Sequence, residues 1–463
     1  MSISLSEHFT YKKLLRFVFP SIIMMIFTSI YSVVDGLFVS NFVGKTALAA
    51  INLIMPFIMG ISALGFMIGT GGSAIVAKTL GEQKEEKAIE YFSLLVYATA
   101  IGGLILSLLG IIFTPAIARM LGAHGELLKN CTLYGRISFI SMTAFMMQNV
   151  FQSFFVTAGK PKLGLYVIIS AGVTNMVLDF LFIAVFHWGI AGAAIATVCG
   201  EFIGGLVPII YFSRKNSSLL RLGKPVFPIF YFSRKNSSLL HLGKTKFHGR
   251  VLLQTCLNGS SELMTNVSNS IVSSLFNLQL MNYAGENGVA SYGAIMYVNF
   301  IFVSTFLGYS IGSAPIISYH YGAANHQELK NIFRKSISLI AVWGIALVGA
   351  AELLAPYITK LFVGYDAKLH AMTQTGFRIC CLVYLINGFN IFGSSFFTAL
   401  NNGPLSALIS FLRTLIFQIT AVLLLPLLFG IMGIWWSINA AELLTLFVTL
   451  MLLFTMRGRY HYA

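Results

Sequence analysis

Charge is what this chain has least of. Only 10% of its 463 residues are charged, against about 25% in an ordinary soluble domain. Acids are the scarcer sign: 15 Asp and Glu stand against 30 Lys and Arg, for a formal net charge of +15. With 57% hydrophobic residues, the chain cannot cover itself in enough polar surface to stay dissolved. That excludes a soluble globular enzyme and a disordered protein. Cysteine is also sparse. The five (Cys131, Cys199, Cys256, Cys380, Cys381) show no metal-ligand spacing, so they read as small core hydrophobes and not as a disulfide framework or zinc site. The alternating short segments of a β-barrel are absent. No signal peptide is visible, because the first apolar run (14–38) is too long for an h-region and lacks a small-residue cleavage site. A basic excess can signal nucleic acid. In a chain this apolar it reads as basic loops on one membrane face, and no nucleic-acid partner is expected.

What is present in abundance is long apolar runs. A membrane-spanning helix needs about 20 such residues, and polar breaks divide the chain into twelve candidates: 14–38, 47–77, 91–114, 131–157, 163–185, 189–212, 251–281, 288–318, 335–358, 376–400, 405–428 and 431–456. The segment ahead of the first span, alternate loops and the tail carry 22 Lys and Arg, and the opposite loops carry 5. The positive-inside rule then puts both termini in the cytoplasm of a multi-pass protein of the cytoplasmic membrane.

The sequence also matches itself at an offset of 241 residues. The stretch from Asn149 to Ala158 falls on that from Asn390 to Ala399 with six of ten positions identical. The same offset pairs Gly44 with Gly285, Gly81 with Gly322, Pro115 with Pro356, Gly189 with Gly430 and Glu201 with Glu442. The expected fold is therefore an all-α membrane protein of twelve helices in two six-helix lobes (N-lobe 1–212, C-lobe 251–463). A pseudo-twofold repeat relates them, in the parallel-repeat architecture of alternating-access transporters. Between the lobes lies a basic cytoplasmic linker, 213–250, in which 211–224 recurs as 231–244 with one change, Arg221 to His241.

Six of the fifteen acids fall inside apolar spans: Asp35, Asp179, Glu201, Glu262, Glu352 and Glu442. Each ionised carboxylate near the bilayer centre costs about 2.5–3.5 kcal/mol on insertion scales. They must face a polar interior, carry a proton or bind a cation. Asn175 and Asp179 are four apart and share a helix face. Thr197 follows a run of small residues (Gly192, Ala193, Ala194, Ala196) that lets helices approach closely, and Asp35 lies late in the first span. Asp35, Asn175, Asp179 and Thr197 make an all-oxygen set suited to Na⁺ or to a proton shared by the two acids. At offset 241 they fall on Phe276, Ile416, Thr420 and Ile438, so the set belongs to the N-lobe alone. Glu201 and Glu442, present in both lobes, read as structural. Glu262 follows Asn258-Gly-Ser-Ser, a stretch where a helix can unwind, and reads as a second cation or substrate contact. Glu352 reads as interfacial, and His320 and His326 as surface residues. Pro20 removes one backbone hydrogen bond within the first span and is expected to act as a hinge.

These features resemble the MATE (multidrug and toxic compound extrusion) family, in particular its bacterial DinF-like branch of MepA-type pumps. The resemblance is carried by Pro20 with Val34-Asp35-Gly-Leu-Phe-Val39, Gly44-Lys-Thr-Ala-Leu-Ala-Ala50, Ala77-Lys-Thr-Leu-Gly-Glu82, Thr157-Ala-Gly-Lys-Pro161, Asn175 with Asp179, and Gly189-Ile-Ala-Gly-Ala-Ala194. It covers the chain apart from the duplicated linker, and it implies efflux of amphipathic, mainly cationic drugs driven by H⁺ or Na⁺. It also implies an N-lobe cation site that maps onto Asp35, Asn175, Asp179 and Thr197. The family's other branch uses a Glu on the seventh helix, which Glu262 matches, and an Asp on the tenth, which is missing here. A secondary antiporter is thus expected, not an enzyme, with no cofactor besides the coupling ion and with a monomer in the bilayer. A flippase for lipid-linked sugars, the alternative, would need a cationic cavity, and Lys and Arg read as absent from the helix centres.

Overall fold

The computed structural model describes residues 4–213, 240–364 and 366–463. Most of the 213–250 linker, and with it most of the tandem duplication, lies outside the described residues. No strand occurs among those described. The N-terminal half folds as α1 (Tyr11–Phe42), α2 (Lys45–Gly81), α3 (Glu85–Met120), α4 (Gly125–Ile140), α5 (Met142–Thr157), α6 (Pro161–Asp179), which runs on through a π-turn at Phe180–Val185, and α7 (Gly189–Ser213). The C-terminal half folds as α8 (Gly249–Gly322), α9 (His326–Val363), α10 (Ala367–Cys381) and α11 (Asn387–Ala399). It continues with α12 (Gly403–Phe411), which leads through a π-turn at Leu412–Phe417 into α13 (Gln418–Phe429), and with α14 (Ile431–Tyr460).

Nine helices among the described residues are long and apolar enough to cross a membrane. Two spans are bent pairs, α4 with α5 at 55° and α10 with α11 at 41°. The 74-residue α8 is two helices that meet at Gly285, whose φ of 62° and ψ of −151° break the helix. Counting the bent pairs once each and α8 twice brings the spans to twelve. The stretch at Asn258-Gly-Ser-Ser does not unwind. α8 runs straight through it, and the Asn258 amide donates to the carbonyls of Gly71 and Thr398 instead.

The repeat visible in the sequence is also a repeat of backbone. Gly44 and Gly285, 241 apart, both take positive φ where the first helix of each half turns into the second. So do Gly189 and Gly430 (58° and 57°) and Gln83 and Ala324 (61° and 51°). A left-handed residue at matching hinge points is what keeps the two halves the same shape.

The halves meet through glycine. A Cβ on Gly259 would sit 1.9 Å from the Met67 carbonyl oxygen, and one on Gly71 would sit 2.2 Å from that of Thr255. One on Gly308 would lie 2.5 Å from Ile22 Cα, and one on Gly312 2.9 Å from Val18 Cβ. At the end of α2, a Cβ on Gly81 would sit 2.0 Å from the Tyr319 carbonyl oxygen, and one on Gly322 would sit 2.1 Å from that of Lys78. The last two contacts are repeat images of each other, since Lys78 and Tyr319, like Gly81 and Gly322, are 241 apart. Helix backbones in actual contact leave no room for any side chain, so α1 and α2 are pressed onto α8 along the face that carries both termini.

Candidate functional site

The N-terminal half holds three carboxylates within its spans, Asp179 buried and Asp35 and Glu201 half-buried, with no base paired to them among the described residues. Asp35 projects from α1, Asp179 ends the α-helical part of α6, and Glu201 lies on α7 one turn beyond Thr197. Asp35 and Asp179 face one another within interaction range. Asp179 is completely buried, and neither of its oxygens accepts a hydrogen bond from any donor among the described residues. Asn175 sits one turn back on α6, its amide 3.5 Å from the Thr197 hydroxyl, while its own Oδ1 is buried and without a donor. The structure thus brings Asp35, Asn175, Asp179 and Thr197 into one neighbourhood, as expected. Three acceptor oxygens there (both of Asp179 and that of Asn175) are unmatched. A buried acceptor without a donor costs about 1–3 kcal/mol, a cost that a proton, a cation or a water molecule would remove. Among the described residues, no three His, Cys, Asp or Glu side chains converge as a transition-metal centre requires.

The structure adds to the site and corrects the reading of it. Glu201, read as structural, is part of the acidic neighbourhood: it accepts from the Ser141 hydroxyl and lies within electrostatic reach of Asp35. Tyr31, Gln148 and Tyr134 surround the acids. Sequence reasoning passed over them because aromatic and amide residues are common in any apolar helix.

The C-terminal half shows what compensation looks like. Arg413 lies in the π-turn inside the Gly403–Phe429 span, so the expectation that helix centres lack Lys and Arg is wrong at this position. Its Nε donates to Glu442 Oε1 at 2.7 Å with both side chains largely buried. The Asn390 amide donates to Glu442 Oε2 at 2.7 Å. Shifted by 241, Glu442 becomes Glu201, Asn390 becomes Asn149 and Arg413 becomes Gly172. Gly172 packs on Phe27 and Tyr31 and brings no charge. The same fold therefore holds a neutralised acid in one half and bare acids in the other. Glu262, on α8, lies within electrostatic reach of Arg413.

Other sequence readings fare unevenly. Cys131, Cys380 and Cys381 are buried, and Cys199 and Cys256 half-buried, all five as free thiols. Glu352 is partly exposed, with Arg378 at 3.5 Å. His320 is not a surface residue: it is 2% exposed, against Phe9. Pro20 is buried inside an α1 that continues through it. An apolar groove of 640 Å³, walled by Leu385 of the turn between α10 and α11, Phe429 of α13 and Trp436 of α14, contains no carboxylate and is separate from the acid site.

Known proteins resemble this chain over nearly its whole length. The multidrug export protein MepA of Staphylococcus haemolyticus (strain JCSC1435) is 25% identical over 457 residues, covering 98% of this chain and 95% of that protein. MepA of Staphylococcus aureus (strain NCTC 8325 / PS 47) is 24% identical over 97% and 94%. A MATE family transporter solved in an outward-facing conformation superposes with a TM-score of 0.88 at 21% identity, over 98% of each chain. A MATE in a bent conformation does so at 0.83 and 22%, over the same shares. The MatE family profile matches twice, over residues 20–181 and 263–424, once in each half. On that doubled match, which spans most of the sequence, the chain belongs to the MatE family.

Proposed function

We propose that the protein is a secondary antiporter that exports amphipathic, mainly cationic compounds in exchange for H⁺ or Na⁺. The observation that carries this reading is the Asp35–Asp179 pair, one member fully buried with both oxygens lacking a donor among the described residues. The export names of the relatives support the same reading. The working organisation is an N-lobe (1–212), a cytoplasmic linker (213–250) and a C-lobe (251–463), in a monomer in the cytoplasmic membrane with both termini inside. On this orientation the glycine-lined seam is the cytoplasmic seal, and the described conformation is outward-facing.

The cycle follows from charge balance. With the seam open, a drug cation enters from the cytoplasm and offsets the acids. Once the seam has closed, external H⁺ or Na⁺ reaches Asp35 and Asp179, with the Asn175 and Thr197 oxygens completing a shell for the larger ion. Neutralised acids hold a cationic drug less well, and it leaves outward. Glu262 is a further contact for positive substrate, and Pro20 is the hinge that couples occupancy at Asp35 to the shape of α1. Arg413 does not favour the lipid-linked-sugar flippase, because Glu442 already takes its charge.

Replacing Asp35 or Asp179 with Asn is expected to abolish drug resistance in cells at unchanged expression. Retained resistance would refute the assignment of those acids.

A further inference from the structure

Two short segments, each immediately ahead of the first helix of its half, cross the seam and are clamped by a carboxylate of the opposite half. Ahead of α1, His8 Nδ1 donates to Glu328 Oε2 at 2.6 Å, and the Phe9 backbone N–H donates to Glu328 Oε1 at 2.9 Å. Asn331 and Lys335 of α9 donate to the Phe9 carbonyl. Ahead of α8, His248 Nε2 donates to Glu90 Oε1 at 2.9 Å, and the Lys246 N–H donates to the same oxygen at 3.2 Å. The Thr245 hydroxyl donates to the Glu90 carbonyl, the Gly243 N–H to the Ser93 hydroxyl, and the Tyr97 hydroxyl to the Gly243 carbonyl.

The two clamps are images of one another under the repeat. α3 and α9, which supply the carboxylates, begin at Glu85 and His326, 241 apart. His8 and His248 differ from that register by a single residue. Glu90 falls on Asn331, itself a member of the other clamp. In each case one carboxylate takes an imidazole and a backbone N–H from a segment that belongs to the other half. Neither carboxylate belongs to the acid site.

We infer that these two clamps form a twin latch that holds the cytoplasmic seam shut, and that both must release for the transporter to face inward. The inference rests on the alternating-access reading above. Glycine-to-backbone contact gives the seam its fit but little directional hold, since dispersion between close helices falls away with a small separation. Hydrogen bonds to an ionised carboxylate supply that hold and break discretely, which is what a two-state gate requires. Placing one latch on each side of the pseudo-twofold axis resists rocking in either sense.

The test uses full-length protein in lipid nanodiscs, without drug. Spin labels are placed at Glu86→Cys and Gln327→Cys, exposed positions 241 apart on α3 and α9, and the distance between them is measured by electron–electron resonance. With Glu90→Gln and Glu328→Gln combined, the ratio of long to short distances is expected to rise about tenfold, with each single substitution giving a smaller rise. Because Glu328 is buried, His8→Ala, whose ring is 67% exposed, is measured in parallel and is expected to shift the ratio the same way. Distance distributions in the double variant and in His8→Ala that superpose on the parent would overturn the latch. The distances need no transport, so a failed latch is distinguishable from a failed antiporter, which would show as aspartate variants that pump normally.

Discussion

The fate of a carboxylate in this protein depends on one neighbouring position. In the C-lobe, Arg413 meets Glu442 and the pair is closed. In the N-lobe the matching place is Gly172, and Glu201, Asp179 and Asp35 stay uncompensated. Cutting a buried pair on one side is far more costly than removing it whole, because the survivor is a bare charge. Arg413→Ala is therefore expected to destabilise the folded protein by about 3–5 kcal/mol. Arg413→Met combined with Glu442→Leu should recover most of that loss. Thermal unfolding in detergent measures both, and equal losses in the single and double variants would show that the pair is not the relevant interaction. The sequence exposed the acids but did not show that Glu201 lies near Asp35. Matching residue identities at offset 241 showed Glu201 and Glu442 as equals, whereas their difference lies in a third residue that only the fold brings alongside. Asp35, Asn175, Asp179 and Thr197 were legible because helix spacing alone aligns two of them and polarity in an apolar run marks the others.

Among the elements, α1 joins the acid site to the seam. Val18, Ser21 and Ile22 touch Gly308 and Gly312 on α8, and Pro20 lies among them. Asp35 is fifteen residues further on, about 22 Å along a helix. Proline removes the hydrogen bond that would stiffen α1 where it meets the other lobe, so bending there moves the cytoplasmic arm relative to the acid. Pro20→Ala is expected to restore that bond, stiffen α1 and slow dye efflux at least severalfold, with Asp35 still accessible to carbodiimide modification. Unchanged efflux would remove Pro20 from the switch. Helix positions were legible from hydropathy, but the breaks within spans were not. The bend between α4 and α5 falls at Ser141, with no proline or glycine within five residues to announce it, and the one between α10 and α11 falls just ahead of Asn387-Gly388, inside what hydropathy reads as one span. By contrast, the one stretch whose residues suggested unwinding, at Asn258, stays helical because α2 and α11 supply partners for its amide.

At the scale of the whole molecule, duplication with divergence explains the arrangement. Two lobes of the same backbone shape meet through glycine and clamp each other by their leading segments. Only the C-lobe pairs its repeat-conserved acid, Glu442, with an arginine. The composition, the doubled sequence and the asymmetry of the acids pointed to this organisation. The seam was not readable, because a glycine that contacts another backbone looks in sequence like any glycine in a membrane helix. The antiport claim is tested most directly with purified protein in sealed liposomes loaded with a fluorescent organic cation, under an imposed proton or sodium gradient. The account predicts dye movement that follows one of the two gradients, stops when that gradient is collapsed, and is lost when Asp35 and Asp179 are both Asn. Dye that crosses equally fast with no gradient, or with both aspartates neutral, would contradict it.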